Sequence, residues 1–382
     1  MNVVKDTVHG FIRLDDLAIS LMDTREMQRL RRVKQLGFAN LVYPGANHTR
    51  FEHSLGVLHL AELLLNKLNV DVLKDIKDEI RAAALIHDVG HMPLSHSIES
   101  VLLEKYGKGH EYFPIGGGLL EVISEFGLDK MLIERLIRGE TPFSQIISSD
   151  VDVDRMDYIV RDEYYTGVAY GTVDYMRLIE EMDFINGQLV ISEGGIQAVE
   201  SLLVSRFLMF PTVYFHHVSR IAEAMVRRAI IPMARRGVEL WNFDDYELLS
   251  VMVHEGGYTQ EIASSLLDRR LFKRALYVST KSLSVERMAE LSSAQEELEH
   301  EIACKAGLDE WHVLLDIPSR PEMVERKAKV LTNGSIKSLE EVSRLVGILY
   351  DAQFDQLKLG VYTLGEHREK VGKVAKEVLD VK

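Results

Sequence analysis

The sequence predicts a mainly α-helical protein with a smaller α+β lobe towards its C-terminus, and three observations support this fold class. Apolar residues recur at the three- and four-residue spacing of a buried helix face in residues 17–36, 55–68, 80–86 and 196–234. Short runs with strand composition fall mostly late in the chain, at residues 189–192, 275–279, 311–315 and 357–363. A further helical pattern, residues 285–306, lies among these late runs. The first part of the chain is therefore expected to be a helical bundle.

The two parts are expected to meet at Arg235-Arg236-Gly237, so that residues 1–236 form the helical core and residues 237–382 form the α+β lobe. The junction lacks the Pro/Ser composition of a flexible linker, which predicts that the two lobes pack together. The C-terminal lobe is expected to serve assembly or packing. The last charged stretch, residues 366–382, predicts an amphipathic helix with Val371, Val374, Val378 and Leu379 facing inward.

Composition indicates a cytoplasmic protein with a sizeable core, since 46% of the residues are hydrophobic and 27% are charged. The single cysteine, Cys304, suits a reducing compartment, and neither a basic-then-apolar leader nor an apolar run near the length of a membrane helix is evident. The formal net charge of −14 disfavours general binding of nucleic acid. An anionic substrate would have to be held by a local group of cations.

The adjacent pair His87 and Asp88 is the first indication of chemistry, because it lies in an apolar stretch. A buried imidazole and a buried carboxylate need partners, and a shared cation satisfies both. The alternative is a helix-capping aspartate beside a core histidine. Seven of the 14 histidines fall between His48 and His110, and this clustering favours the metal. Gly90 and Pro93 predict that the helix ends shortly after His87.

Three motifs in this order carry a family resemblance: residues 50–57 (RFEHSLGV), 87–96 (HDVGHMPLSH) and 152–158 (DVDRMDY). The chain resembles the HD-domain phosphohydrolases, and within them the deoxynucleoside triphosphate triphosphohydrolase branch. The resemblance runs from about residue 6 to about residue 230. It implies that the helical core is an HD-domain catalytic core.

The resemblance implies one divalent metal held by His53, His87, Asp88 and Asp154, and it allows a second Mg²⁺ on the substrate phosphates. Two imidazoles and two carboxylates suit Mn, Fe, Zn, Ni and, less comfortably, Mg. In this family water attacks the α-phosphorus and expels the nucleoside, leaving triphosphate intact. The matching positions imply that His96 is the acid for the departing oxygen. They also imply three residues that orient it, namely Glu99, His110 and Glu111.

The resemblance also implies a deoxynucleotide substrate, contacted by Gln35, Arg50, Arg155, Tyr158, Asp162, Arg206 and Tyr214. Arg206 and Tyr214 are eight residues apart on one helical run, a spacing that keeps both near one face of a regular helix. Tyr214 is expected to stack under the sugar and to leave no room for a 2′ hydroxyl, while Asp162 and Gln35 could hydrogen-bond the 3′ hydroxyl. Ordinary core packing remains the alternative for Tyr158 and Tyr214.

Related enzymes carry an activator site for a guanine nucleotide at a subunit contact, and Asp23, Gln28 and Arg31 match its positions. Lys5 and the stretch Ser192-Glu193-Gly194 depart from the family pattern, which leaves open a simpler activator site or none. Self-association into a dimer or tetramer is expected from the family.

Three functions remain open on the sequence: a metal-dependent dNTP triphosphohydrolase, which is favoured; an HD phosphohydrolase acting on another nucleotide phosphoester; and a nucleotide-sensing protein without turnover. The products released from nucleotides distinguish the three.

Overall fold

The computed structural model describes residues 2–68, 70–95, 98, 107, 109–149, 151–318 and 327–381. The chain forms two compact units, and each unit is built from several stretches of sequence. The first comprises residues 1–209, 241–245 and 323–350, and the second comprises residues 210–240, 246–322 and 351–382. The mainly helical fold class is confirmed, while the boundary between residues 236 and 237 stays a prediction.

The helices within the described ranges, in chain order, are α1 (Asp16–Met22), α2 (Arg25–Arg29), α3 (Arg50–Lys67), α4 (Asp71–Asp75), α5 (Lys77–Ile86), α6 (Gly117–Glu125), α7 (Lys130–Ile137), α8 (Val153–Thr166), α9 (Tyr175–Glu180), α10 (Ile196–Met209), α11 (His217–Arg235), α12 (Asp245–His254), α13 (Gly257–Leu267), α14 (Val285–Ser293), α15 (Gln295–Ala306), α16 (Leu339–Val342), α17 (Arg344–Ala352) and α18 (Arg368–Leu379). The strands are β1 (Asn2–Asp6), β2 (Gly10–Leu14), β3 (Met182–Ile185), β4 (Gln188–Ser192), β5 (Lys273–Ser279), β6 (Val313–Asp316), β7 (Lys329–Thr332), β8 (Ser335–Ser338) and β9 (Lys358–Thr363).

Helix α3 is the centre of the first unit, where it packs against α5 and α8. Its first turn is fixed by the carboxylate of Glu52, which accepts hydrogen bonds from the backbone N–H of Thr49 at 2.5 Å and from the Thr49 hydroxyl at 3.1 Å. Apolar side chains such as Leu60 and Leu64 are fully buried on it. Because α3 is buried on several sides, its polar side chains face the neighbouring helices α5 and α8.

The start of α8 is fixed by Asp152, whose carboxylate accepts hydrogen bonds from the backbone N–H groups of Ser149 at 2.7 Å and Arg155 at 2.8 Å. The helix ends at Gly167, which adopts the left-handed conformation at φ 72°. These two ends set the rotation of α8, so that its acidic residues face α3.

Two small sheets belong to the first unit. Strands β1 and β2 form an antiparallel hairpin in which Asp6 pairs with Gly10. The other sheet has the order β3-β4-β7-β8, with a parallel pairing of β4 and β7 between two antiparallel hairpins.

The second unit is an α+β structure with the antiparallel sheet β5-β9-β6. Helix α18 packs on β5 and on α15, and its buried residues include Val371, Ala375 and Leu379. The hydroxyl of Tyr362 donates a hydrogen bond to Asp316 Oδ2 at 2.8 Å, and the same oxygen accepts one from Arg220 Nε at 3.1 Å. This polar group is buried within the unit.

Several predicted segments are interrupted. The periodic segment 17–36 consists of α1 and α2, because Thr24 caps a new helix by accepting a hydrogen bond from the N–H of Met27 at 3.4 Å. The helical pattern 285–306 is divided between α14 and α15 at Ala294. The late strand predicted at residues 311–315 starts at Val313, because a 3-10 turn occupies Glu310–His312.

Within the described part of the chain, one helical stretch, Glu193–Tyr214, has the length and apolar composition that a membrane-spanning helix would need. A single helix of this kind does not establish a membrane span. Core helices of soluble proteins meet the same criterion. The predicted cytoplasmic location stays a prediction.

Candidate metal centre

Three helices bring the four predicted ligands together. His53 lies in the first turn of α3, His87 and Asp88 follow the end of α5, and Asp154 lies in the first turn of α8. His53 Nε2 is 2.9 Å from Asp154 Oδ1 and 3.8 Å from Asp88 Oδ2. His87 Nε2 is 3.4 Å from Asp88 Oδ1 and 3.9 Å from Asp154 Oδ1. The predicted end of the helix near His87 is confirmed, since α5 ends at Ile86.

The donor atoms fit a divalent cation. The Nδ1 atom of His87 lies 2.9 Å from the carbonyl oxygen of Ala84, which can only accept, so the neutral ring carries its proton on Nδ1. Its Nε2 atom is buried and has no hydrogen-bond partner among the described residues. The ligand atoms of His53, His87 and Asp154 all lie within 4.8 Å of one another. A lone pair buried beside two carboxylates is the environment that a metal ion satisfies.

Asp157 contacts the Nδ1 side of the His53 ring, opposite the Nε2 atom that faces Asp154. Its Oδ2 atom is 2.8 Å from His53 Nδ1, so the Nε2 lone pair of a neutral His53 faces Asp154. Asp157 also accepts hydrogen bonds from Arg161 at 2.8 and 2.9 Å and lies 2.6 Å from His9 Nε2. Arg161 is completely buried and continues the network to Asp6 at 2.8 Å. None of the residues Asp157, Arg161, His9 and Asp6 was predicted from the sequence to belong to the site.

The electrostatics of this network follow from burial opposed by partners. Burial raises the pKa of Asp157, but Arg161, His53 and His9 outweigh it and hold that pKa well below its usual range. Burial lowers the pKa of His53, but Asp154 and Asp157 outweigh it and raise that pKa to about 10 in the metal-free protein. A cation entering the site therefore displaces a proton from His53.

Gly56 makes room for the network where α3 meets α8. A Cβ atom at this position would lie 1.8 Å from Asp157 Oδ1 and 2.5 Å from Arg161 Nη2. Both distances are far below van der Waals contact, so a side chain here would displace the carboxylate that orients His53.

Arg50, predicted to contact substrate, binds a predicted metal ligand. Its Nη1 donates a hydrogen bond to Asp88 Oδ2 at 2.7 Å, and its Nε donates to Ser95 Oγ at 2.8 Å. Arg50 is 2% exposed, and its Nη2 has no hydrogen-bond partner among the described residues. Burial raises the pKa of Asp88, but Arg50, His87 and His91 hold that pKa well below its usual range.

A second group shares Asp88. His91 Nε2 is 3.2 Å from Asp88 Oδ1, and the rings of His91 and His110 stack with their centres 3.6 Å apart. Asp88, His91 and His110 also have ligand atoms within 4.8 Å of one another. His110 Nε2 lies 3.5 Å from Glu111 Oε1. The predicted pair His110 and Glu111 is therefore near Asp88, while His96 and Glu99 lie outside the described residues.

The predicted sugar contacts Gln35 and Asp162 meet at His48. Asp162 Oδ1 lies 2.8 Å from His48 Nε2, and the N–H of Gln35 donates a hydrogen bond to the His48 carbonyl oxygen at 3.0 Å. The side-chain oxygen of Gln35 is buried and has no hydrogen-bond partner among the described residues. It is an acceptor that a ligand hydroxyl could satisfy.

The other predicted substrate residues belong to α8, α10 and the turn that follows α10. Arg155 pairs with Asp152, and Tyr158 is partly buried against the core of the first unit. Arg206 lies in α10 of the first unit, whereas Tyr214 belongs to the second unit and ends the π-helical turn Phe210–Tyr214. The run changes from an α-helix to a π-helical turn at Phe210, so it is not one regular helix, and a shared face for Arg206 and Tyr214 stays a prediction.

The predicted activator residues cluster around α2. Gln28 Nε2 donates a hydrogen bond to the carbonyl oxygen of Met22 at 2.9 Å, next to Asp23, and Arg31 Nε donates to Gln28 Oε1 at 2.9 Å. The guanidinium carbon of Arg31 lies 3.6 Å from the centre of the Phe51 ring. Asp23 and Arg31 are exposed.

Comparisons with known proteins identify the family of this chain. Family models described as HD domain and HD associated region match residues 50–162 and 173–382. An uncharacterized protein of Methanocaldococcus jannaschii is 34% identical over all of this chain and 85% of its own length. A Dictyostelium discoideum protein named deoxynucleoside triphosphate triphosphohydrolase SAMHD1 homolog is 33% identical, over 59% of this chain and 48% of its own length.

A solved structure of a hypothetical protein from Aquifex aeolicus superposes with a TM-score of 0.80 at 28% identity, covering 98% of this chain and 99% of that one. The matched fold and the family models, which together span most of the chain, include all four predicted metal ligands. The chain belongs to the HD-domain family of phosphohydrolases.

Proposed function

We propose that this HD-domain protein is a metal-dependent hydrolase that converts deoxynucleoside triphosphates into deoxynucleoside and inorganic triphosphate. The observation that carries the proposal is the convergence of His53, His87, Asp88 and Asp154 beside a buried Arg50, whose Nη2 has no hydrogen-bond partner among the described residues. A cation and a guanidinium together suit a phosphate chain. The Dictyostelium relative, which covers part of this chain, is named for this reaction.

The metal, when bound, supplies Lewis acidity and lowers the pKa of a bound water. The chain's own residues prepare its place. Asp157 fixes the proton of His53 on Nδ1, and the Ala84 carbonyl oxygen fixes that of His87 on Nδ1, so both Nε2 atoms offer lone pairs. Arg50 holds Asp88 through Nη1 and keeps Nη2 for a phosphate oxygen of the substrate.

The departing 5′ oxygen needs a proton when the bond to the α-phosphorus breaks. We assign the acid to His96 from the family motif, with Glu99, His110 and Glu111 as its orienting partners. The stacking of His110 on His91, which contacts Asp88, supports the placement of the second pair beside the metal ligands.

Selection of the sugar is assigned to Gln35, Asp162 and Tyr214. The buried, unpaired oxygen of Gln35 and its link to Asp162 through His48 support a hydroxyl-binding position there. The 3′ hydroxyl is present in both dNTPs and NTPs, so the choice between them is assigned to Tyr214, which is expected to leave no room for a 2′ hydroxyl. The expected result is turnover of dNTPs with little turnover of NTPs.

A guanine-nucleotide activator and self-association to a dimer or tetramer complete the proposal. The hydrogen bond between Gln28 and Arg31, beside Asp23, supports a polar site on α2. Light scattering at micromolar concentration, with and without dGTP, is expected to give a dimer or tetramer. A monomer under both conditions would refute that part.

The test is a product assay with Mn²⁺, each of the four dNTPs and four NTPs, and trace dGTP or GTP as activator. Anion-exchange chromatography is expected to resolve inorganic triphosphate from the dNTP reactions, and the variants His87→Ala and Asp154→Ala are expected to lose it. Pyrophosphate or orthophosphate as the main product would indicate another phosphoester reaction, and binding without turnover would indicate a nucleotide sensor.

A further inference from the structure

The turn that follows the His87–Asp88 motif has an unusual backbone. Leu94 and Ser95 adopt the left-handed region at φ 60° and 53°, although neither is glycine. Side chains disfavour this conformation, and two such residues in succession persist only where the surrounding structure holds them. The contacts that hold this turn are therefore informative.

Asp245 provides these contacts from a distant part of the sequence. Its Oδ1 accepts a hydrogen bond from the N–H of Leu94 at 2.6 Å, and its Oδ2 accepts one from the N–H of Lys34 at 3.0 Å. The Ser95 hydroxyl donates to the Lys34 carbonyl oxygen at 2.6 Å, which joins the turn to the same segment. Asp245 is 3% exposed. Burial raises its pKa to about 6, so the group that accepts both bonds at pH 7 is a carboxylate.

The turn connects to the metal centre through one side chain. Arg50 Nε donates to Ser95 Oγ at 2.8 Å, and Arg50 Nη1 donates to Asp88 Oδ2 at 2.7 Å. The guanidinium is planar and rigid, so a movement of Ser95 rotates both ends of it together. Arg50 and Asp88 are both buried, and water has little access to replace either bond.

We propose that Asp245 is a positioning residue for the metal centre, acting through the Leu94–Ser95 turn and Arg50 on the carboxylate of Asp88. The Trp241–Asp245 segment belongs to the first unit and lies outside the residues that match the HD domain. The inference rests on the proposed metal site, and only its activity readout depends on the proposed reaction.

A neighbouring contact of the same segment supports this arrangement. Arg29 donates hydrogen bonds to the carbonyl oxygens of Val89 at 2.8 Å and His91 at 2.7 Å, and also to that of Phe243 at 2.8 Å. The loop after the metal motif is thus joined to the Trp241–Asp245 segment at both of its ends. Arg29 also lies on α2, the helix of the predicted activator residues.

The first test is Co²⁺ binding by the full-length variant Asp245→Asn. The amide keeps the shape of the carboxylate but faces two N–H donors with only one acceptor, so one contact of the turn is lost. Outer contacts of metal ligands typically contribute 10–100-fold in affinity, and we expect a Kd increase of about tenfold with an altered Co²⁺ visible spectrum.

The matched control is Asp244→Asn, which removes the neighbouring buried carboxylate and its ion pair with Arg32. Because the N–H groups of Leu94 and Lys34 donate to Asp245, the Co²⁺ Kd of Asp244→Asn is expected to stay within about twofold of the wild type. A purely structural role of the segment would change both variants equally.

The variant Ser95→Ala tests the same path without changing Asp245, and it serves if Asp245→Asn does not fold. Its Co²⁺ Kd should rise to a similar extent. Because Asp245 and Ser95 act through one turn, the effects of the two substitutions should not multiply. The Co²⁺ Kd of the double variant should exceed the larger Kd of the two single variants by no more than about twofold. Multiplied effects, or wild-type Co²⁺ affinity and spectrum in Asp245→Asn, would overturn the inference.

The substrate assay separates this inference from the proposed function. Wild-type protein that binds Co²⁺ but releases no triphosphate would overturn the reaction and leave the Co²⁺ comparison valid. Where triphosphate is released, Asp245→Asn is expected to lower kcat of the metal-saturated enzyme about tenfold with KM changed less than twofold. Wild-type protein that binds no Co²⁺ would overturn both.

Discussion

Replacing Gly56 by alanine should damage the metal centre without touching a metal ligand. The added Cβ would lie 1.8 Å from Asp157 Oδ1 and 2.5 Å from Arg161 Nη2. Contacts this short require that the Asp157 carboxylate turns away or that α3 and α8 move apart. Both responses break the hydrogen bond of 2.8 Å that Asp157 makes to His53.

The size of the effect follows from the contacts that would be lost. Overpacking a core costs about 1–3 kcal/mol, and breaking a buried ion pair costs about 3–5 kcal/mol. Because the Asp157 carboxylate can keep part of its pairing with Arg161, we expect the free energy of unfolding of the metal-free protein to fall by about 3 kcal/mol. Loss of the contact to a metal-binding histidine should weaken metal affinity by about 10–100-fold.

The assay is thermal or urea unfolding of the metal-free protein together with calorimetric Mn²⁺ binding. Gly347→Ala is the matched control, because Gly347 also lies within a helix but a Cβ there would meet open space. Alanine should be neutral at that position or stabilising by up to about 1 kcal/mol. If Gly56→Ala unfolds like Gly347→Ala and binds Mn²⁺ as tightly as the wild type, the account of the network around Asp157 is wrong.

Three further predictions concern protonation and the second unit. The pKa of His53 is raised to about 10 in the metal-free protein, so Mn²⁺ binding near pH 7 should release about one proton. For the same reason the apparent Kd for Mn²⁺ should fall about tenfold per pH unit up to about pH 9. Calorimetry in buffers of different ionisation enthalpy measures the protons released, and a Kd independent of pH would contradict the prediction. The raised pKa of His53 also stabilises the metal-free fold. This stabilisation is complete below the unfolded-state pKa near 6.5 and is lost as the pH rises towards 10, so the metal-free protein should unfold more easily in alkali. In the second unit, Asp316→Asn removes one of the two acidic partners of Arg220 and leaves Glu223, so it should cost about 2–3 kcal/mol, whereas Tyr362→Phe should cost about 1 kcal/mol. Urea unfolding that gives equal losses would show that the ion pair contributes little.

The four residues proposed as metal ligands could be selected from sequence because each lies inside a motif with local meaning. The residues that orient them could not, since His9 and Asp157 meet across 148 positions of sequence. Two local signals were nevertheless present. Asp157 and Arg161 have the i,i+4 spacing of a helical ion pair, and Gly56 interrupts the otherwise strongly helix-forming sequence of α3.

The helical core was predictable from periodicity, but the pairing of strands was less so. The hairpin of β7 and β8 turns at Asn333 and Gly334, both with positive φ, and this dipeptide could have predicted it. The parallel pairing of β4 with β7 joins residues such as Val190 and Lys329, and no local pattern indicates it. The contacts of Asp245 with the turn at Leu94 are equally non-local.

The central claim, water attack at the α-phosphorus directed by this metal centre, is tested most directly by hydrolysis of a dNTP in ¹⁸O-labelled water with mass spectrometry of the products. We predict one ¹⁸O atom in the inorganic triphosphate, none in the deoxynucleoside, and no labelled triphosphate from His87→Ala. Label in pyrophosphate or orthophosphate, or in the deoxynucleoside, would contradict the account.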